Sequence, residues 1–493
     1  METSYAETPV KTKRTAVILM GLMAIVFSFI IMKEVVLPPM FLIIGALIGG
    51  IVLLGMGMNR PEVVTYVLVA YLPFSKVLAG GFGGFATAFN LTNLLMGFIF
   101  IVWLTGRYSK EESPWISTPL NFPILLFMVL GAISVVRGSY YGTGYFWPAF
   151  TEFKRWTTPI LLFFLVLNTV KDRETIKSIV FIIMIVTMIV ALMAIHDYLN
   201  VGPNTSLENS RVGGISGHSN TLAAFFNYYM FLFFGFFLMN MGQFRAWLLL
   251  IPFLTCFRGI MVTFSRGGYV SFGFAMYSIT FFRSKLLFML LLVLTWFAMM
   301  NPAVLPAGVR FRMAQTFEKN SSYVDSFESA EDALDASAKN RVEIWKGGLK
   351  MIEENPIFGV GYGLFHSLIP YYWTGGYEID AHNTYLILAA EMGIPALLIF
   401  LFIILLTFAQ TYGLYRTTED RFAKGLALGF IGGLFGLLMS NMFGSRLDSQ
   451  EVSSYFWILA AIILRLKILD QRDRERKEAE EKVQEEAHAV LAM

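Results

Sequence analysis

The sequence predicts an all-α fold: a polytopic membrane bundle of about 12–14 transmembrane helices, with one large external loop containing short helices. Three observations predict it. Hydrophobic residues fill 56% of the 493 positions and charged residues only 15%, against roughly 25% charged in a soluble domain. Mean hydropathy is +0.61, so the apolar residues cannot all be hidden in one soluble core. They gather in runs close to the ~20 residues a helix needs to cross the hydrocarbon layer. Lysine and arginine recur in alternate connections, as cytoplasmic loops require.

Taken in order, the expected spans lie near 15–33, 37–57, 62–77, 90–105, 119–136, 157–170, 176–199, 219–241, 245–263, 267–282, 285–301, 383–411, 422–442 and 452–468. The first follows Lys11, Lys13 and Arg14. It lacks a small-residue cleavage site, so it reads as a span rather than a signal peptide. With the N-terminus in the cytoplasm, alternate loops hold Arg60; Arg107 and Lys110; Lys171, Arg173 and Lys177; Arg245; Arg283 and Lys285; and Arg416, Arg421 and Lys424. The charged tail then also falls inside, so both termini are expected in the cytoplasm. The chain divides into N-terminal helices over 1–200, helices with arginine motifs over 201–301, an external loop over 302–382, C-terminal helices over 383–468 and a charged tail over 469–493. Within the loop, 318–338 is acidic and rich in Ser and Ala. Val342, Trp345, Leu349 and Ile352 then recur at helical spacing, predicting an amphipathic helix along the outer membrane surface. Asn355-Pro356 ends it. The tail reads as a solvated helix of mixed charge. The single cysteine, Cys256, excludes a disulfide within the chain.

Three short stretches carry the chemistry. The first is Arg211-Val-Gly-Gly214-Ile-Ser-Gly-His218-Ser-Asn220, before the span near 219. The second is Ser265-Arg266-Gly267-Gly268-Tyr269, opening the span near 267. The third is His382-Asn383-Thr-Tyr385, opening the span near 383. In the assigned topology all three helices start at the outer face. A helix start offers unpaired N–H groups and about half a positive charge, which suits phosphate. Arginine adds a planar fork for phosphate oxygens, and neighbouring glycines let backbone approach a ligand. Three converging ends would form a positive pocket at headgroup depth, fit for a lipid-linked diphosphate.

Each residue also has a plainer reading. An outer-face arginine can bind a headgroup or pair with an acid, although short outer loops disfavour it. Arg258 and Arg446 lie near the same face, as do Arg137, Lys154 and Arg155. His382, beside Asp380, is the strongest candidate for a base near neutral pH; His218 is a weaker one. Glu391 lies within the expected span 383–411, and its default reading is an ion pair with a buried arginine. No Asp-x-Asp with a neighbouring ligand set lies on the outer face, and the Cys and His spacing offers nothing for zinc. No metal or cofactor is therefore expected, and nothing points to nucleic acid.

Ser265-Arg266-Gly267-Gly268, a long external loop, then Asn355-Pro-Ile-Phe-Gly359-Val-Gly361-Tyr-Gly363 and Ala381-His382-Asn383-Thr-Tyr385 with Glu391-Met-Gly393 resemble the O-antigen ligase and polymerase superfamily. The Arg211…Gly214…Asn220 stretch is similar too. The resemblance covers roughly 205–400; the first 200 residues share only hydropathy. It implies a metal-independent, inverting GT-C-type glycosyltransferase in the bacterial inner membrane, with its site at the periplasmic face. Such an enzyme moves a glycan from undecaprenyl diphosphate to an acceptor hydroxyl. The acceptor is lipid A-core for a ligase and another lipid-linked repeat unit for a polymerase of O-antigen or exopolysaccharide. The family's diphosphate-holding arginines map to Arg211 and Arg266, and its essential histidine to His382. Arg258, Gly267, Gly214, Asn220, Asn383, Tyr385 and Arg446 are then expected around the substrate. Membrane lipids and other polysaccharide-assembly proteins are the expected partners. A transporter would instead show repeats and broken mid-membrane helices. A flippase or non-catalytic scaffold is a further alternative, and product formation by purified protein excludes it.

Overall fold

A computed structural model of the chain describes residues 55–57, 60–78, 91–105, 115–142, 144–201, 210–304, 310, 336–444 and 449–491. The expected span 15–33, most of 37–57 and most of the acidic stretch 318–338 lie outside them. The described residues are helical, with no strand among them. In chain order the helices are α1 (Pro61–Tyr71), α2 (Leu91–Leu104), α3 (Asn121–Gly138), α4 (Phe146–Thr169) and α5 (Arg173–Leu199). There follow α6 (Ser219–Tyr229), α7 (Phe231–Met239), α8 (Leu250–Val262), α9 (Arg266–Arg283) and α10 (Lys285–Met300). The last are α11 (Ala336–Glu354), α12 (Thr384–Met392), α13 (Ile394–Thr417), α14 (Arg421–Ser440) and α15 (Gln450–Leu491).

Seven stretches among the described residues are long and apolar enough to cross a membrane: 121–141, 173–199, 219–239, 244–262, 394–417, 421–440 and 450–486. Residues 62–74, 91–104 and 285–300 form shorter apolar helices. The chain is thus an all-α polytopic bundle.

Several elements differ from expectation. The span expected over 383–411 is two helices. Gly393 sits between them at φ +88°, in the region that favours glycine, and a Cβ there would overlap the Ile357 carbonyl. Pro395, in the first turn of α13, suits a helix start. Helix α4 begins at Phe146, well before the expected 157, because Glu152, Lys154 and Arg155 break its apolar run without breaking the helix. Helix α11 ends before Asn355 as predicted. Its buried face carries Ile344 and Met351, whereas Leu349 is 53% exposed.

Helix α14 is the central post, packed against α6, α7, α9 and α13. Small residues let helices approach closely inside a membrane. At Gly433 an added Cβ would overlap the Tyr228 carbonyl, so α6 and α14 meet backbone to backbone. Around that contact Phe225, Phe226, Tyr229, Phe231, Phe430 and Tyr455 are fully buried. Helix α15 packs on α4 and α13 and continues as an exposed helix past residue 470, as the mixed-charge reading of the tail anticipates. Where α15 leaves the bundle, Arg173 pairs with Asp420, Asp470 and Asp473.

Candidate functional site

Helix α8 ends at Val262, and four residues later α9 begins. Between them Phe264 takes φ +48°, and Ser265 caps α9 by accepting the Gly268 N–H at 3.1 Å. Arg266 is therefore the first helical residue, half-buried at the mouth of α9. The Arg211 segment lies alongside. Val212 N–H donates to Val262 O at 3.3 Å. The Arg211 guanidinium donates to Thr263 O at 3.2 Å and to Asn220 Oδ1 at 2.9 Å. One side chain thus joins the incoming segment, the α8–α9 corner and the first turn of α6. The turn between Arg211 and Asn220 closes through Gly214 at φ +49° and Gly217 at φ +74°.

The third motif docks on the far end of α14. His382 takes φ +50° and donates its backbone N–H to Asp380 Oδ1 at 3.0 Å. Asn383 caps α12, accepting from Tyr385 N and Leu386 N at 3.0 and 3.2 Å. Thr384 N–H donates to Asn441 O at 2.9 Å. The Thr384 hydroxyl lies 2.7 Å from Asn441 Oδ1 and 3.0 Å from Gly444 O. Asn441 Nδ2 in turn donates to the Tyr228 hydroxyl at 2.8 Å. The adjacent Asn227 donates to Gly268 O at 2.9 Å, and Gly267 packs on Phe443.

These contacts close a circuit. Arg211 reaches the α8–α9 corner, the corner reaches α6 through Asn227, α6 reaches α14 through Asn441, and Asn441 reaches the segment that carries His382. The starts of α6, α9 and α12 are tied to the same end of the bundle. Phe264 and His382 are the described non-glycine residues with positive φ, a conformation that costs energy and collects at functional sites. Each directly precedes a helix cap in this circuit.

The imidazole of His382 is part-exposed. Its Nδ1 is buried, 3.5 Å from an Asp380 carboxylate oxygen. Among the described residues, none makes a hydrogen bond to Nδ1. Among the described residues no group of three His, Cys, Asp or Glu side chains is placed to hold a metal ion.

The remaining expected residues fall out differently. Asn220, Asn383 and Tyr385 each have a structural partner: the Arg211 guanidinium, the α12 cap and, for the Tyr385 hydroxyl, Leu438 O at 2.7 Å. Gly214 packs on Leu222. Arg258 is exposed over the Tyr198 ring, 5.4 Å from its centroid. Arg446 lies outside the described residues. Arg137 donates to Asn355 Oδ1 at 3.4 Å, and Arg155 pairs with Glu152.

Glu391 has backbone partners that its sequence reading did not anticipate. Its carboxylate accepts the backbone N–H of Gly363 at 2.8 Å and of Phe365 at 3.0 Å. It clasps the glycine-rich loop 359–363 to the end of α12. Ser134 of α3 donates to the Glu391 carbonyl at 2.7 Å, and burial pushes up the pKa of the nearby Tyr145, whose hydroxyl donates to Tyr362 O. Sequence reasoning also missed Thr384, Asn441 and Lys76, whose Nζ donates to Ser216 O at 2.7 Å. Under the topology expected from the sequence, Lys76 would be, like Arg211, a cation on the disfavoured side.

Residues 251–401 match the profile of the O-antigen ligase family. No curated protein matches the chain.

Proposed function

We propose that this chain transfers a glycan from undecaprenyl diphosphate to an acceptor hydroxyl at the periplasmic face; the match of residues 251–401 to the O-antigen ligase profile supports a glycan-transfer role. The observation that carries this reading is the circuit through Asn441, which ties Arg211, Arg266 and His382 to one end of the bundle.

The reaction breaks the bond between sugar C1 and a phosphate oxygen. Negative charge develops on the departing diphosphate, and fixed cations in a water-poor site stabilise it without having to reorganise. Arg211 and Arg266 take that role, and the N–H groups at the start of α9 add to it. The acceptor hydroxyl attacks C1 from the face opposite the diphosphate, so the anomeric centre inverts. His382 Nε2 accepts the hydroxyl proton during attack, with Asp380 holding the His382 backbone N–H. The polyprenyl tail lies between the apolar helices. The acceptor is either lipid A-core or a second lipid-linked repeat unit.

The test is transfer by the purified protein in lipid nanodiscs, supplied with an undecaprenyl-diphosphate glycan and each acceptor in turn. Product from one acceptor class assigns ligase or polymerase. Arg266→Ala is expected to lower the rate at least about a hundredfold, the scale of losing one preorganised charge-stabilising donor. Arg266→Lys stays poor, since an ammonium lacks the two-pronged fork. Full activity in a well-inserted Arg266→Ala protein sinks the assignment. Flux without product in sealed proteoliposomes points instead to a flippase.

A further inference from the structure

The donor site described above draws its charge from residues beyond position 200, yet another cation reaches it from the N-terminal region. Lys76 lies in the one-turn helix Ser75–Leu78, which follows α1 and the tight turn Leu72–Phe74. Its ammonium donates to Ser216 O at 2.7 Å. It also faces Gly217, where a Cβ would stand 3.9 Å from Nζ. Ser216 and Gly217 belong to the turn between Arg211 and Asn220, whose side chains are hydrogen-bonded to each other. Lys76 and Arg211 therefore hold the same turn from different elements.

An ammonium has three donors, and Ser216 O takes one of Lys76's. The side chain is otherwise exposed, and the bare Cα of Gly217 leaves space beside it. A tether to one carbonyl requires only a neutral donor. A full charge on a disfavoured side of the membrane asks for an anion. Lysine is the compact point charge that complements arginine's fork in binding phosphate.

We propose that Lys76 is a third cation of the donor site and binds the phosphoryl oxygens of the lipid-linked diphosphate beside Arg211 and Arg266. This rests on the function proposed above.

Lys76→Gln keeps an N–H for the Ser216 carbonyl and removes the charge; Lys76→Arg keeps the charge. In nanodisc transfer assays Lys76→Gln is expected to raise the donor KM, and the inhibition constant of inorganic pyrophosphate, by about tenfold, the scale of one charge-assisted hydrogen bond. Its kcat stays close to wild type, and Lys76→Arg recovers most of the loss. An unchanged donor KM in Lys76→Gln overturns the proposal, as does equal impairment of kcat in both variants, which marks a packing role. A second measurement needs no variant: an amine-reactive ester labels Lys76 of the wild-type protein, with peptide mass spectrometry as readout. Inorganic pyrophosphate is expected to protect it; unprotected labelling overturns the proposal. If Arg266→Ala abolishes transfer and Lys76→Gln does not weaken donor binding, this inference alone fails. If the wild type forms no product, the functional reading fails.

Discussion

At the residue scale, the proposed site draws its charge from cations and its placement from a few uncharged side chains. The Thr384 hydroxyl lies between Asn441 Oδ1 and Gly444 O, fully out of solvent. Thr384→Val preserves shape and leaves buried oxygens without a donor, at a cost of about 1–3 kcal/mol. A lowered thermal midpoint in detergent, with transfer reduced through kcat rather than donor KM, is the expected outcome. An unchanged midpoint denies the junction its role. Arg211, Arg266 and His382 stand out in the sequence because each is a charged or titratable residue beside the start of an apolar run. Thr384 and Asn441 do not, since a single polar residue at the end of an apolar run is unremarkable. What makes Asn441 matter is its pairing with residues 57 and 213 positions away. Glu391 was noticed as a carboxylate inside an apolar run, but its hold on Gly363 and Phe365 was not foreseen. Backbone N–H groups of a loop leave no trace in residue identities.

At the element scale, the positions of helices followed from hydropathy and their ends from capping. Ser265, Asn383, Asp172 and Asp420 each accept N–H groups of their own first turn, as N-cap side chains do. Periodicity could not detect the break at Gly393, because the apolar run continues across it. Only the approach of the Ile357 carbonyl shows why the chain must stop there. The same close approach governs α14. Gly433→Ala inserts a methyl group where the Tyr228 carbonyl lies, and overpacking of this kind costs about 1–3 kcal/mol. The expected result is a lower melting temperature for purified protein. Because Tyr228 also holds Asn441, reduced transfer is expected in the same variant. A Gly433→Ala protein as stable as wild type contradicts the backbone contact between α6 and α14.

At the scale of the whole molecule, α14 separates two charged regions by its own length, about 30 Å for its 20 residues. One end carries the circuit around Asn441. The other carries Arg173 with its three carboxylates. The positive-inside assignment puts the first end in the periplasm and the second in the cytoplasm. Thiol labelling tests this directly, because Cys256 is fully buried and Cys256→Ser gives a clean background. In intact spheroplasts an impermeant maleimide is expected to label Gly376→Cys, in the segment before His382, and to label Glu480→Cys only after lysis. The reverse pattern turns the site toward the cytosol and removes lipid A-core as an acceptor.

Composition and run length by themselves determined that the chain is a helical membrane bundle and roughly where its helices lie. Those properties are set residue by residue, through the cost of moving each side chain into lipid. The tertiary structure alone decided which helix ends meet, that Asn441 joins them, that Glu391 clasps a loop and that Lys76 reaches the Arg211 turn. Such contacts depend on how close two backbones can come, and that distance is settled only when the helices pack.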